Sequence, residues 1–150
     1  MHVDVLTEID IARPREVVAE YASNLDHTTE WYTNIERIDW KSPKPLRVGS
    51  QVAFVARFLG KRLAYTYEVR DWAAGQRLVM STTDGPFPME TTYEWRDSPS
   101  GGTTMALRNR GTPAGFSNVA APMMVGAMRR ANRKDLARIK AILEAPDLAR

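Results

Sequence analysis

The stretch GSQVAFVARFLGKRLAYTYEVRDW (residues 49–72) alternates apolar and polar side chains on both sides of a short Leu-Gly turn. The apolar positions recur at every second residue, and they are Val52, Phe54, Ala56 and Phe58 before the turn and Leu63, Tyr65, Tyr67 and Val69 after it. A period of two is typical of a β-strand with one buried face. The stretch therefore predicts a β-hairpin whose dry face carries these side chains.

The same alternation recurs on both sides of this hairpin, in residues 3–11, 76–83, 87–96 and 101–110, with a further candidate strand at 35–41. Short turns rich in Gly, Pro, Asp and Ser separate the later segments. Connections this short favour antiparallel neighbours over parallel crossovers. The prediction is a seven-stranded antiparallel sheet with one dry and one wet face.

Two short helices are predicted between the first strand and the rest of the sheet. In RPREVVAEYASNL (residues 13–25), Pro14 suits a first helical position and Glu16 lies where the helix dipole favours an anion. Asp26 can cap a second helical turn that runs to about Trp31.

A long amphipathic helix is predicted over residues 115–145. At 100° per residue, one apolar stripe collects Ala121, Met124, Val125, Met128, Leu136, Ile139 and Leu143. The cationic side chains of this segment lie outside the stripe or at its margins, where they are expected to face water. Pro122 and Gly126 predict a kink or a loosened turn in this helix.

Together these elements predict one α+β domain, residues 1–150, in which a curved sheet wraps round the last helix. Only that helix is long enough to cover the dry face of the sheet. Several of its covering residues are small or flexible, among them Met124, Gly126, Ala127 and Met128. We therefore expect an apolar cavity between the sheet and the helix.

Composition excludes several classes of protein. The 150 residues are 43% hydrophobic and 26% charged, with no Cys and a net charge of +3. This is the composition of a globular domain without disulfides or thiolate metal sites. No segment has the length and hydrophobicity of a membrane span, and the N-terminus does not resemble a signal peptide, so a cytoplasmic location is expected. No nucleotide-binding motif occurs, and neither a cofactor nor a metal is expected.

Several stretches resemble a known superfamily: IDIARPREVVAEYASNLDHTTEW, VGSQVAFVARFLGKRLAYTYEV, GPFPMETTYEW, GGTTMAL and DLARIKAILE. Their order and their apolar and turn positions resemble the START-like (SRPBCC) superfamily, and within it the polyketide cyclase/dehydrase and lipid-transport-like group. The resemblance covers nearly the whole chain. It implies a helix-grip fold, and it implies that an apolar molecule binds between the long helix and the sheet.

Strand parity and helix phase predict which side chains line that cavity. The polar candidates on the dry face are Tyr65, Tyr67, Thr91, Tyr93 and Asn109, with Asn132 near the centre of the helix stripe and Asp135 at its edge. The other predicted lining residues are Trp31, Phe54, Phe58, Met80, Met89, Met105, Leu107, Met124 and Met128. A few polar groups in an apolar pocket are typical of sites that orient a small ligand.

Three functions fit these patterns. The favoured one is binding of a small hydrophobic ligand such as a lipid, a polyketide or an aromatic compound. The second is a cofactor-independent cyclase or dehydratase, with Tyr65, Tyr93 or His27 as proton donor or acceptor. The third is an interaction module whose basic helix docks on ribosomal RNA or an acidic protein, although no aromatic residues interleave the cations for base stacking and nucleic acid is not the expected partner. Both a monomer and a homodimer are compatible with the sequence.

Overall fold

The computed structural model describes residues 1–116 and 118–146. Its strands are β1 (Val3–Ile11), β2 (Ile35–Trp40), β3 (Gln51–Phe58), β4 (Lys61–Ala73), β5 (Arg77–Asp84), β6 (Met89–Asp97) and β7 (Thr103–Gly111). Its helices are α1 (Arg15–Ser23), α2 (Thr28–Trp31) and α3 (Ala121–Glu144), with a 3₁₀ turn at Leu25–His27.

The strands form one sheet in the order β1-β7-β6-β5-β4-β3-β2, and every neighbouring pair is antiparallel. Register shifts interrupt the β2–β3 and β4–β5 ladders, and such irregularities bend a strand and increase its twist. The predicted α+β architecture, with a seven-stranded curved antiparallel sheet and a long C-terminal helix, is confirmed. β2 and β1 are the two edge strands.

Two short helices follow β1, as the sequence predicts, but their cap differs from the prediction. The side chain that caps this turn is that of Asn24 and not that of Asp26. Oδ1 of Asn24 accepts a hydrogen bond from the backbone N–H of Asp26 at 3.1 Å. The Asp26 carboxylate instead accepts hydrogen bonds from Nε1 of Trp40 at 2.9 Å and from Nζ of Lys44 at 2.7 Å. Asp26 thereby ties the start of the 3₁₀ turn to the end of β2.

The start of the long helix also differs from the prediction. α3 begins at Ala121 and not at residue 115, because Gly115 has a positive φ of 85° that no right-handed helix contains. Pro122 therefore lies in the first turn, where its missing N–H costs no helical hydrogen bond. Gly126 is exposed, and the helix continues through it to Glu144. The predicted loosened turn is accordingly wrong, since α3 is one continuous α-helix, and the predicted kink stays a prediction.

α3 packs on the sheet with two different halves. Its C-terminal half buries Leu136, Ile139 and Leu143 in a large core that also contains Trp31 and Trp95. Its N-terminal half packs in a smaller cluster made of Val3, Val5, Phe116, Met124 and Met128. The C-terminal half is thus part of a closed core, whereas the N-terminal half covers the cavity described below.

Charged side chains cover the outer face of the sheet and of α3. Opposite charges pair across neighbouring strands in Asp4–Arg108 and Glu90–Arg110, and Glu8–Arg96 joins β1 to β6 across β7. On α3 the exposed cations are Arg130, Arg133, Lys134 and Arg138. Exposed pairs of this kind contribute little to stability, so the burial of the dry face is the main source of stability.

Gly111 is expected to tolerate no side chain, whereas Gly126 is expected to tolerate one. A Cβ on Gly111 would lie 2.9 Å from Cα of Met89 and even closer to the carbonyl oxygen of Pro88, so Gly111→Ala must displace backbone. We expect it to lower the free energy of unfolding by about 1–3 kcal/mol. A Cβ on Gly126 meets no atom within 4 Å, so Gly126→Ala is expected to stabilise α3 by about 1 kcal/mol. Urea unfolding measures the free energies of unfolding of the two variants. Equal values for the two variants would contradict the packing at Gly111.

Candidate functional site: a cavity between the sheet and α3

A cavity of about 150 Å³ lies between the dry face of the sheet and the N-terminal half of α3. Its apolar wall consists of Ile35, Phe54, Ala56, Phe58, Leu63, Met80, Phe87, Met89, Phe116, Met124, Met128 and Ala131. Aromatic rings account for much of this wall, and Phe54 stacks on Tyr65 with ring centroids 5.6 Å apart. Rigid rings and flexible methionines together form a surface suited to an apolar ligand.

One group of polar side chains lies on the sheet side of the cavity, and we call it the sheet-side polar chain: Tyr67, Thr91 and Asn109. The hydroxyls of Tyr67 and Thr91 are 2.6 Å apart, and the Thr91 hydroxyl donates to Oδ1 of Asn109 at 2.7 Å. Because Thr91 uses its hydrogen on Asn109, Tyr67 must donate to Thr91. The hydroxyl hydrogens of Tyr67 and Thr91 therefore both have an acceptor within this group.

A second group lies where α2 and β6 meet α3, and we call it the helix-side polar cluster: Tyr32, Tyr93, Asn132 and Asp135. The hydroxyls of Tyr32 and Tyr93 are 2.7 Å apart. Oδ1 of Asp135 accepts hydrogen bonds from the backbone N–H of Thr33 at 3.1 Å and from the Thr33 hydroxyl at 3.2 Å. Asn132 is 5% exposed, and its Nδ2 is buried without a hydrogen-bond partner among residues 1–116 and 118–146.

Burial shifts the pKa values of the ionisable groups in this cavity. It raises the pKa of Tyr67 to about 12, and it raises the pKa values of Tyr32, Tyr65 and Tyr93 well above that of an ordinary tyrosine. Burial also raises the pKa of Asp135 to about 6, against the lowering effect of its hydrogen bonds from Thr33. The tyrosines are therefore neutral hydrogen-bonding groups at physiological pH, and Asp135 is the carboxyl group that titrates in the cavity.

The mouth of the cavity is formed by partly exposed residues at one end of the sheet, among them Asn34, Arg57 and Pro86. Phe116 lies between the rings of Phe58 and Phe87, with centroids 6.0 and 6.2 Å away. These rings place the loop before α3 beside the β3–β4 and β5–β6 turns. The cavity thus opens at the end of the sheet that carries the N-terminus of α3.

Most of the lining residues predicted from the sequence lie along this cavity. They are Phe54, Phe58, Tyr65, Tyr67, Met80, Met89, Thr91, Tyr93, Asn109, Met124, Met128 and Asn132. Trp31, Met105 and Leu107 do not, although each is fully buried. Trp31, Met105 and Leu107 pack in the larger core, because the dry face extends beyond the cavity under the C-terminal half of α3.

His27, a candidate proton donor or acceptor, lies away from the cavity. Its ring stacks on Tyr21 with centroids 4.3 Å apart, and its Nδ1 is 3.2 Å from Oε2 of Glu30. The Tyr21 hydroxyl donates to the same carboxylate at 2.5 Å. His27 thus belongs to a surface cluster formed by α1, the 3₁₀ turn and α2, since its position in the 3₁₀ turn directs it away from the sheet.

Several lining residues lie outside the set predicted from the sequence, and Tyr32 matters most among them. Tyr32 follows the last residue of α2 and is part of no repeating pattern, so only the fold brings it to Tyr93 on β6. Asp135, which the sequence places only at the edge of the helix stripe, lines the cavity as well. It follows Asn132 by three positions on α3, and this helical spacing is the signal that indicates the same face.

Residues 1–116 and 118–146 contain no group of three His, Cys, Asp or Glu side chains arranged to hold a metal ion. None of the helices in that part of the chain is both long and apolar enough to cross a bilayer.

The family of the chain follows from a comparison with known protein families. The model of the family described as polyketide cyclase / dehydrase and lipid transport matches residues 2–144, and the chain belongs to this family. A comparison with curated protein sequences gives no match.

Solved structures share the fold at low sequence identity. A START superfamily protein from Mycobacterium smegmatis is 14% identical with a TM-score of 0.82, over 96% of this chain and 98% of that one. The Zhui aromatase/cyclase from a Streptomyces species is 13% identical with a TM-score of 0.77, over 96% and 94%. A protein from Thermus thermophilus is 18% identical with a TM-score of 0.79, over 95% and 100%. At these identities the likeness establishes the helix-grip fold and not the activity.

Proposed function

We propose that the protein binds a small hydrophobic molecule in the cavity between the sheet and α3. The observation that carries this proposal is the cavity itself, whose wall of aromatic and methionine side chains is interrupted by a few buried polar groups. Such a combination is typical of pockets that hold and orient small ligands. Membership of a family whose description includes lipid transport supports the same function.

The volume limits the size of the ligand that the described cavity accepts without rearrangement. An apolar protein cavity of roughly 150 Å³ is large enough to bind benzene. The cavity of this protein has about that volume, so a compact ligand of about one ring fits it as it stands. A longer lipid or polyketide would have to extend through the mouth past Arg57 and Pro86.

The two other functions considered from the sequence have less support. For an acid–base enzyme, Tyr65 and Tyr93 have raised pKa values and keep their protons, so at neutral pH neither is a base and each is a weaker acid than an ordinary tyrosine. His27 lies outside the cavity. For an RNA-binding module, Arg138 and Lys140 already donate to the backbone carbonyls of Glu30 and Asp10. Part of the basic surface thus holds α3 against α2 and β1.

Binding of benzene tests this proposal. Benzene is expected to bind the wild-type protein saturably and to raise its melting temperature, because a ligand that binds only the native state stabilises it by mass action. Met128→Trp is expected to reduce benzene affinity at least tenfold, since Met128 is 7% exposed and lines the cavity. NMR titration of both proteins measures the affinities.

Met123→Trp is the matched control, because Met123 lies on the same helix but is 64% exposed. This variant is expected to bind benzene as the wild type does. Absence of saturable binding to the wild type, or equal affinity in Met128→Trp, would refute the cavity as a ligand site.

A further inference from the structure

The helix-side polar cluster has more hydrogen-bonding capacity than its own members use. The paired hydroxyls of Tyr32 and Tyr93 share one hydrogen between them, so the second hydroxyl hydrogen is left over. Nδ2 of Asn132 has no partner. Among the described residues, Asp135 receives its hydrogen bonds on Oδ1, which leaves Oδ2 as an acceptor.

The sheet-side polar chain differs in this respect, although it lines the same cavity. There Tyr67 donates to Thr91 and Thr91 donates to Asn109, so each hydroxyl hydrogen has an acceptor. A buried polar group without a partner is costly and rare in folded proteins. The buried side-chain atoms without a partner among the described residues are Nε1 of Trp31, Nε1 of Trp95 and Nδ2 of Asn132, and only Asn132 lines the cavity. The helix-side polar cluster is therefore where a polar group of the ligand is needed.

The spacing of the unused groups indicates what kind of polar group fits. Asn132 and Asp135 are three residues apart on one helix, which places their Cβ atoms about 5–6 Å apart. One oxygen atom can accept from Asn132 and donate to Asp135 through two hydrogen bonds of about 2.8 Å each, because both side chains leave the same face of the helix. A hydroxyl group both donates and accepts, whereas a carbonyl oxygen only accepts.

We propose that the ligand is a compact neutral molecule with a hydroxyl group, an alcohol or a phenol, and that this hydroxyl binds at the helix-side polar cluster. It donates to Oδ2 of Asp135 and accepts from Nδ2 of Asn132, while its hydrocarbon part lies against Phe54, Met80 and Met89. A carboxylate ligand would place a second anion beside the buried carboxylate of Asp135, so it is excluded. This inference rests on the proposed binding function of the cavity.

Phenol, benzene and benzoate share one ring and differ in the polar group, so their affinities show what the polar group contributes to binding. A cavity without polar partners binds benzene better than phenol, because burying an unsatisfied hydroxyl is unfavourable. We expect the wild-type protein at pH 7.5 to bind phenol about tenfold more tightly than benzene, and to bind benzoate more weakly than either. Isothermal titration or NMR titration gives the three affinities.

The Asn132→Leu variant tests whether the helix-side polar cluster causes the preference for phenol over benzene, because leucine has a similar size and no hydrogen-bond donor. We expect it to lower the ratio of phenol to benzene affinity about tenfold. Arg133→Leu is the control, since Arg133 is the next residue on the same helix but is exposed and does not line the cavity. Its ratio of phenol to benzene affinity is expected to equal that of the wild type.

The outcomes distinguish this inference from the proposed function. If benzene and phenol both fail to bind the wild type, the cavity is not a ligand site and both proposals are wrong. If benzene binds as tightly as phenol or more tightly, or if benzoate is preferred, the cavity binds ligands but the hydroxyl subsite is refuted. The wild-type ratio alone decides this point, even if a variant fails to fold. An unchanged ratio in Asn132→Leu also refutes the subsite.

Discussion

Replacing Asp135 with asparagine is expected to stabilise the protein at pH 8 by about 2 kcal/mol more than at pH 4. Asp135 is 2% exposed, and burial raises the pKa of its carboxyl group to about 6 from an ordinary value of 3.8. The native state therefore binds this proton more tightly than the unfolded state does. As the pH rises from about 4 to 6, the carboxyl group ionises in the unfolded state but keeps its proton in the native state, so stability is lost. Above about pH 6 the native carboxyl also ionises, and the loss levels off.

The stability contributed by an ordinary salt-bridged carboxylate depends on pH in the opposite sense, because that carboxylate stabilises the native state at high pH and loses this contribution as the pH falls. Asparagine retains an oxygen that accepts the hydrogen bonds from Thr33, but it carries no charge, so the variant lacks the loss of stability above pH 4. The neighbouring tyrosines do not titrate in that range, because Tyr32 and Tyr93 have raised pKa values and keep their protons. The difference between variant and wild type therefore isolates Asp135.

Urea unfolding between pH 4 and pH 8 measures this effect, and Asp26→Asn provides the control. Hydrogen bonds from Lys44 and Trp40 lower the pKa of the Asp26 carboxyl group. Its replacement is accordingly expected to cost stability at pH 8 and less at pH 4, the reverse of the pattern for Asp135. If Asp135→Asn proved less stable than the wild type at pH 8, the carboxyl group would not be held at an unfavourable site.

Ile139→Ala is expected to lower the free energy of unfolding by about 4 kcal/mol. Ile139 is 0% exposed and lies in the closed half of the core, so its removed methyl and methylene groups leave a void that neighbouring side chains cannot fill. Met128→Ala is expected to cost only about 2 kcal/mol, because the space it frees joins a cavity that already exists. Urea unfolding of both variants measures the two losses.

Ligand binding adds a second readout to this comparison. The Ile139→Ala protein is expected to bind benzene with wild-type affinity under conditions where it remains folded, because Ile139 does not line the cavity. The Met128→Ala protein is expected to accept larger rings than the wild type does. Equal losses of stability in the two variants would mean that the N-terminal half of α3 covers a packed core and not a cavity.

The sequence predicted the sheet and the buried face of its strands well, because alternation is a local property. It could not show which part of that face borders a cavity. Met105 and Leu107 alternate in the same way as Met89 and Thr91, yet only Met89 and Thr91 reach the cavity. The difference depends on which half of α3 covers each part of the dry face, and no local pattern contains that information.

The polar groups of the site illustrate the same limit. Tyr32 meets Tyr93 across 61 positions, and Asp135 meets Thr33 across 102. Helical spacing indicates that Asp135 is near Asn132, but its partner on the other side of the cavity comes only from the fold. The start of α3 differs from the prediction for another reason, since an apolar stripe has no sharp boundary and therefore places Pro122 inside the helix.

The edge strand β2 bears on how this protein avoids aggregation. An edge strand exposes unpaired backbone groups to which a strand of another molecule can add. β2 is only six residues long, its ladder with β3 is interrupted between Ile35 and Arg37, and Glu36, Arg37 and Asp39 are exposed along it. An incoming strand would have to follow an irregular edge and desolvate these charges. At this edge the sheet can therefore stay open around its helix without pairing with a strand of the next molecule.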